Sequence, residues 1–233
     1  MILTALEEDT LRKVQHKCVE LGGKCEILPY DLSDIEGINT LVDTALSFYG
    51  GIDVMYNNAG ISQRAKAGDT LFDVDKKIMD VNYFAPIKIT KYLLPAMLKN
   101  GGGTLAVTTS ISGRFGFPLR SAYCASKHAL YGFFETVAAE YYDQNIRVAL
   151  ICPGRVKTNI SWYALEKDGA RHAKMDAGQA GGITTEKAAK KIVHAIRKQR
   201  PETLVGSMEL LMVYIKRFFP RLSRQLVRRI KPE

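Results

Sequence analysis

Short apolar runs alternate along the chain with longer stretches in which apolar residues recur every three or four positions. The runs predict strands at Ile2–Ala5, Lys24–Leu28, Ile52–Tyr56, Gly103–Thr109, Ile146–Cys152 and Thr203–Val205. The longer stretches predict helices near Glu7–Leu21, Asp34–Tyr49, Asp73–Lys99, Ala122–Gln144 and Thr185–Lys198. Parallel strands need a long crossover between them, and a helix is the usual one, so this alternation is the rhythm of βαβ units. Val54-Met-Tyr, Leu105-Ala-Val and Val148-Ala-Leu-Ile are apolar without alternation, as strands covered on both faces are. The predicted fold class is α/β, a doubly wound and mostly parallel sheet. Gly22-Gly23, Gly50-Gly51 and Gly101-Gly102-Gly103 fall where a helix gives way to a strand, and are read as helix stops.

Composition adds little to this picture until charge is located. With 233 residues, 46% hydrophobic and 24% charged, the chain can bury a core without a disulfide or metal staple. The four cysteines have neither CxxC spacing nor a zinc pattern with the four histidines, so reduced thiols, a cytoplasmic setting and no metal are expected. Met1-Ile-Leu-Thr-Ala reads as a strand, without the charged region and cleavage site of a signal peptide.

The net charge of +9 is uneven: from Arg197 to Glu233 there are ten Lys or Arg against three Asp or Glu, a net +7. The chain therefore divides into residues 1–206, the α/β domain, and residues 207–233, a basic amphipathic helical extension. The extension has two readings, a helix docked on the body with a solvated basic face or a segment in peripheral contact with an anionic membrane. Lys216 and Arg217 interrupt its apolar stretch, which is too short to span a bilayer. No nucleic-acid partner is expected, because the charge is terminal and no recognition motif accompanies it. The least regular piece, Ser161–Gly182, carries Trp162, Tyr163 and Met175 and is either a substrate lid or a plain surface excursion.

The chemistry-bearing residues begin with Ser110 and Tyr123-Cys-Ala-Ser-Lys127. Tyr123 and Lys127, four apart at a helix start, share one face. A phenol of pKa near ~10 is a poor acid or base at neutral pH, and a neighbouring ammonium draws it towards the working range. Ser110 follows a strand whose carboxyl end opens on the crevice of a doubly wound sheet. Three further segments end predicted strands: Tyr-Asp31-Leu32-Ser-Asp, Asn57-Asn58-Ala59-Gly60 and Pro153-Gly-Arg-Val156-Lys-Thr158. Each has an ordinary reading alone, as a turn or helix cap. Their joint placement at strand carboxyl ends is what ordinary turns leave unexplained.

Taken in order, Asp31, NNAG, Asn82, Ser110, YxxxK and PGxxxT resemble the classical short-chain dehydrogenase/reductase family from about Ile2 to about Val205, and the residues around Ser110 and Tyr123 look most like its hydroxysteroid-dehydrogenase-like branch. The resemblance implies an oxidoreductase interconverting an alcohol and a carbonyl. Tyr123 is then the general acid/base, Ser110 the hydroxyl that steadies the reacting oxygen, and Lys127 the cation that lowers the Tyr123 pKa and binds the nicotinamide ribose. Asn82 holds a water in a proton relay, against its ordinary reading as a satisfied helix-interior amide. On the cofactor surface, with Tyr123 and Lys127, the resemblance places Asp31 and Leu32 at the adenine. It puts Asn58, Ala59 and Gly60 at the ribose, and Pro153, Val156 and Thr158 beside the nicotinamide. It also implies a homo-oligomer and a small-molecule substrate, and an apolar lid around Trp162 and Tyr163 suits an apolar carbonyl.

One family feature has no counterpart. No Thr-Gly-x-x-x-Gly-x-Gly spacing occurs in the 233 residues, and Met1–Glu8 resembles the family's second strand and the turn after it. About one βα unit is therefore expected to be absent, and in the order 3-2-1-4-5-6 that strand is central. Its neighbours would stand about 10 Å apart, twice the ~4.8 Å ladder spacing, and NAD(P) would bind poorly. A chain start placed too late, a real truncation, and a non-catalytic binding relative are the three explanations. Thr4-Ala-Leu6 ends its strand with no acid for a ribose hydroxyl, which favours NADP over NAD.

Overall fold

The computed structural model describes residues 1–230. In chain order the elements are β1 (Ile2–Ala5), α1 (Glu8–Glu20), β2 (Glu26–Pro29), α2 (Ile38–Tyr49), β3 (Val54–Asn57) and α3 (Phe72–Met79). A π-helical turn (Asp80–Phe84) leads into α4 (Ala85–Lys99), followed by β4 (Gly103–Thr108), a 3-10 turn (Ile111–Gly113), α5 (Ser121–Glu140) and β5 (Ile146–Pro153). After these come α6 (Ala177–Ala180), α7 (Thr185–Arg197), β6 (Glu202–Val205), a 3-10 turn (Met208–Leu210), α8 (Leu211–Phe218) and α9 (Pro220–Arg229). The end of the predicted extension, Lys231–Glu233, lies outside the described residues.

All strand pairing within the ladders is parallel, as the alternation predicts. The strands form two sheets, β1-β2 and β3-β4-β5-β6. Among the described strands β1 pairs only with β2, and β3 only with β4. The break in the ladder falls between β1 and β3, where the missing glycine spacing placed it.

Residues of β4 and β5 alternate between two apolar layers because successive side chains of a strand leave on opposite faces. Leu105, Val107, Val148, Leu150 and Cys152 meet Ile38 and Val42 of α2, Ile89 and Leu93 of α4, and Leu130 and Phe134 of α5. Ile151 faces the other way, with Val205 of β6 and Ala188 and Ala195 of α7. Helices on both faces make the sheet doubly wound. The long helix predicted over Asp73–Lys99 is broken by the π turn, and α2 starts at Ile38 rather than Asp34. Asp31 and Asp34 instead close the intervening turn, Asp31 accepting from the Ser33 amide at 2.9 Å and Asp34 from the Gly37 amide at 3.2 Å.

Candidate active site

β4 ends at Thr108, and both the main chain and the side chain of this residue hold parts of the site. Lys127, one turn along α5 from Tyr123, donates from Nζ to the Thr108 main-chain carbonyl at 2.8 Å. The Thr108 hydroxyl donates to Asn58 Oδ1 at 2.9 Å and lies 2.8 Å from the Tyr56 hydroxyl. Two residues later Ser110 caps the 3-10 turn, its Oγ accepting from the Ser112 amide at 3.1 Å. The Lys127 ammonium nitrogen lies 5.8 Å from the Tyr123 ring centroid. Tyr123, Ser110 and Lys127 are all buried.

Asn82 sits in the π turn, a register break in a helix that often marks a working site. Its Oδ1 accepts from the Ile61 amide at 2.8 Å, and its Nδ2 donates to the Ile61 carbonyl at 2.9 Å and to Ser126 Oγ at 3.0 Å. The side chain is satisfied, as its ordinary reading held, and it clamps the chain just after Asn58-Ala59-Gly60. A Cβ at Gly60 would fall 3.1 Å from Asn82 Oδ1 and 3.3 Å from Lys127 Nζ, so any other residue there would make both side chains give by a few tenths of an ångström.

Burial dominates the electrostatics. It pushes the Tyr123 phenol above its ordinary pKa, and the neighbouring Ser110 hydroxyl and then the cations Arg120 and Arg64 pull in the opposite direction. Burial also brings the Lys127 ammonium down to about 8. Arg120 and Arg64 thus add to the pull on the phenol, while Lys127 Nζ, 5.8 Å from its ring centroid, donates to a carbonyl oxygen.

Those arginines were not singled out by sequence. Arg64 follows the Asn58–Gly60 loop, Arg120 precedes α5, and both pair with Asp176, Arg64 at 2.6 Å and Arg120 at 2.9 Å. The Arg64 and Asp176 side chains are 2% and 3% exposed. His172 Nε2 lies 3.7 Å from the same carboxylate. The irregular segment is tied down elsewhere too: the Arg64 amide donates to the Leu165 carbonyl at 2.8 Å, and the Leu165 amide to the Ser62 carbonyl at 2.9 Å. Trp162, Tyr163 and Met175 stay exposed on it.

The remaining predicted positions do not join this group by a contact of their own. Asp31 is exposed, and its carboxyl is held low by the Ser33 amide and hydroxyl, with Lys77 of α3 pulling the same way more weakly. Leu32 packs at the edge of the main core. Pro153 ends β5 beside Val205. Val156 and Thr158 are both reached by Gln179 of α6, which donates to the Val156 carbonyl and, at 3.2 Å, to the Thr158 hydroxyl.

A nicotinamide cofactor fits one part of this arrangement. Glycine at position 60 lies beside Lys127 and Asn82, and the carboxyl end of β4 meets the same place where Thr108 holds Lys127 and Asn58. Among the described residues no glycine-rich turn leads from a strand into a helix N-terminus, which is where a pyrophosphate would sit.

Helices on both faces of a parallel sheet, with a phenol, an amine and a hydroxyl near its strand ends, make up a doubly wound α/β fold whose ligand crevice lies at those ends. Residues 1–169 match the family model described as short chain dehydrogenase, and the chain belongs to that family. It is 42% identical over 200 residues to dehydrogenase/reductase SDR family member 7B of Xenopus laevis, covering 85% of this chain and 62% of the relative. A solved 7α-hydroxysteroid dehydrogenase complexed with NADH and 7-oxo glycochenodeoxycholic acid superposes with a TM-score of 0.65 at 26% identity, covering 68% of this chain and 62% of the other. A gluconate 5-dehydrogenase from Burkholderia cenocepacia in complex with NADP and tartrate shares the fold, with a TM-score of 0.64, 20% identity, and coverage of 69% of this chain and 63% of the other. The chain thus spans less than two thirds of the length of the curated relative it matches.

Proposed function

We propose that the chain forms the catalytic part of an NAD(P)-dependent oxidoreductase that interconverts an alcohol and a carbonyl on a small apolar substrate, with Tyr123 as acid/base. The observation that carries this reading is the approach of Ser110 and Lys127 to Tyr123, with Lys127 beside Gly60 at the carboxyl end of β4. The cofactor, when bound, supplies or accepts the hydride.

In reduction, the buried Tyr123 phenol, kept neutral by its raised pKa, hydrogen-bonds the substrate carbonyl oxygen and hands it a proton as that oxygen becomes an alkoxide. The Ser110 hydroxyl donates to the same oxygen and stabilises its developing charge. The field of Arg120 and Arg64 favours the phenolate left behind. Lys127, titrating at about 8, is able to return a proton towards it. In oxidation the same groups run in reverse, the phenolate taking the alcohol proton. Asn58, Ala59, Gly60, Val156 and Thr158 would hold the nicotinamide-ribose end of the cofactor, and Asp31 and Leu32 its adenine end. NADP is the proposed partner, on the absence of an acid at the end of β1. A homo-oligomer is proposed on family resemblance alone.

The test is turnover of NADPH and NADH against a panel of ketones and aldehydes. It uses this chain, a longer product of the same coding region that contains a TGxxxGxG turn, and Tyr123→Phe in the longer product. Activity in the longer product that drops by at least about a hundredfold in Tyr123→Phe fits the loss of a general acid. Activity that survives Tyr123→Phe removes the mechanism. A second reading, a binding protein without catalysis, is favoured by one feature: no glycine-rich phosphate turn occurs among the 233 residues. It predicts no turnover in either length of chain.

A further inference from the structure

The extension after β6 is docked and yet leaves an apolar face uncovered. Met212 and Val213 of α8 and Val227 of α9 pack against the main core, and Ser223 is buried. On the outer side Leu211, Tyr214 and Phe218 stand at positions i, i+3 and i+7 of α8, so they form one stripe. With Met208, Phe219 and Leu222 they are between 45% and 79% exposed. Six cations lie on the same two helices: Lys216, Arg217, Arg221, Arg224, Arg228 and Arg229. Among the described residues none of the six pairs with a carboxylate. Among the described residues of the extension the one acid, Glu209, is spent inward, accepting from the main-chain amides of Arg155 at 2.8 Å and Ser207 at 3.0 Å.

We propose that the outer face of α8 and α9 seats on an anionic lipid bilayer, with the Leu211–Tyr214–Phe218 stripe entering the boundary between headgroups and acyl chains and the arginines among the anionic headgroups. An exposed apolar stripe with aromatic residues, bordered by cations, is the composition that lies in a membrane interface. Charge decides against a second copy as the occupant, since two such faces in contact would bring the exposed arginines of one against those of the other. Among the described residues no helix is long and apolar enough to cross a membrane, so the contact is one of lying on the surface. Through Glu209 the extension is fastened to Arg155 in the loop that follows β5, so the lipid-facing stripe starts close to the carboxyl end of that strand. The inference does not depend on the proposed oxidoreductase activity.

The experiment is sedimentation of the full 233-residue chain with phosphatidylcholine vesicles and with vesicles that also contain phosphatidylserine. Binding to the phosphatidylserine vesicles roughly tenfold stronger, and weakening as salt rises, is expected. Arg221→Gln with Arg224→Gln should lower the partition roughly tenfold or more, each cation near the surface contributing about fivefold. Phe218→Ser should lower it on both vesicle types, with an unchanged far-UV circular dichroism spectrum, because the ring is not packed. In a Trp162→Phe background, Phe218→Trp should shift its emission to the blue on the anionic vesicles. Partition unchanged in both variants overturns the proposal. So does bound protein with unshifted emission, which is adsorption by charge alone. Self-association without vesicles that is lost in Phe218→Ser also overturns it, by making a protein the occupant.

Discussion

Two residues carry opposite consequences of the same low-dielectric surroundings. Lys127 keeps its amine in a buried site at the cost of a pKa near 8, well under that of a free lysine. Below that value the folded protein holds a desolvated charge that the unfolded chain does not, and the penalty fades as pH rises and the amine loses its proton. Lys127→Met is therefore expected to match or exceed the parent in thermal stability on the acid side of about 8, with the difference shrinking on the alkaline side. Melting temperatures of the pair on both sides of that pH check the sign. Asp176 is the reverse case. It neutralises Arg64 and Arg120 together, and Asp176→Ala leaves a buried guanidinium without its carboxylate, at a cost of about 3–5 kcal/mol. The urea midpoint should fall accordingly. Tyr123 and Lys127 were legible because four residues along a helix is a local spacing. Arg64 and Asp176 lie 112 positions apart in irregular chain, where a charged residue reads as a solvated one, and no periodicity announces such a pair.

At the scale of elements, the hydrophobic pattern located all six strands, with boundaries displaced by at most two residues and those of β1 not at all. β4 and β5, long runs covered on both faces, each differ from the predicted bounds by one residue at the carboxyl end. The π turn did not, because Asp80–Phe84 keeps helical periodicity on either side and one extra residue in a turn barely disturbs it. Its effect is to hold Asn82 against the main chain of Ile61. Asn82→Leu strands the Ile61 amide and carbonyl without partners, and a destabilisation of about 1–3 kcal/mol is expected. Hydrogen exchange at Ile61 should rise with it. The core between helices and sheet is less forgiving: Phe134, fully buried on α5, should cost about 3–5 kcal/mol as Phe134→Ala.

For the whole molecule the divided sheet sets the hierarchy of stability. β4 and β5 each have two strand neighbours and sit between helical layers, whereas β1 and β2 have one another, with α1 over them. Amides of β1 and β2 should therefore exchange through openings of lower free energy than those of β4 and β5, by hydrogen-exchange mass spectrometry. Comparable protection in both sheets would mean that the helices, rather than the ladder, hold the molecule together. The position of this break was legible from a missing glycine pattern, but its effect on packing was not, since Tyr30, Leu32 and Ile35 still reach the main core from the β2 side.

The Lys127 amine rests on the oxygen of a peptide bond, the Thr108 carbonyl, rather than on a side chain. Replacing the threonine with valine would take away the hydroxyl that reaches Asn58 and Tyr56 and leave that oxygen where it is. Drift in sequence can therefore rewrite the neighbours of this lysine one by one while its resting place survives, for as long as β4 stays paired on both sides.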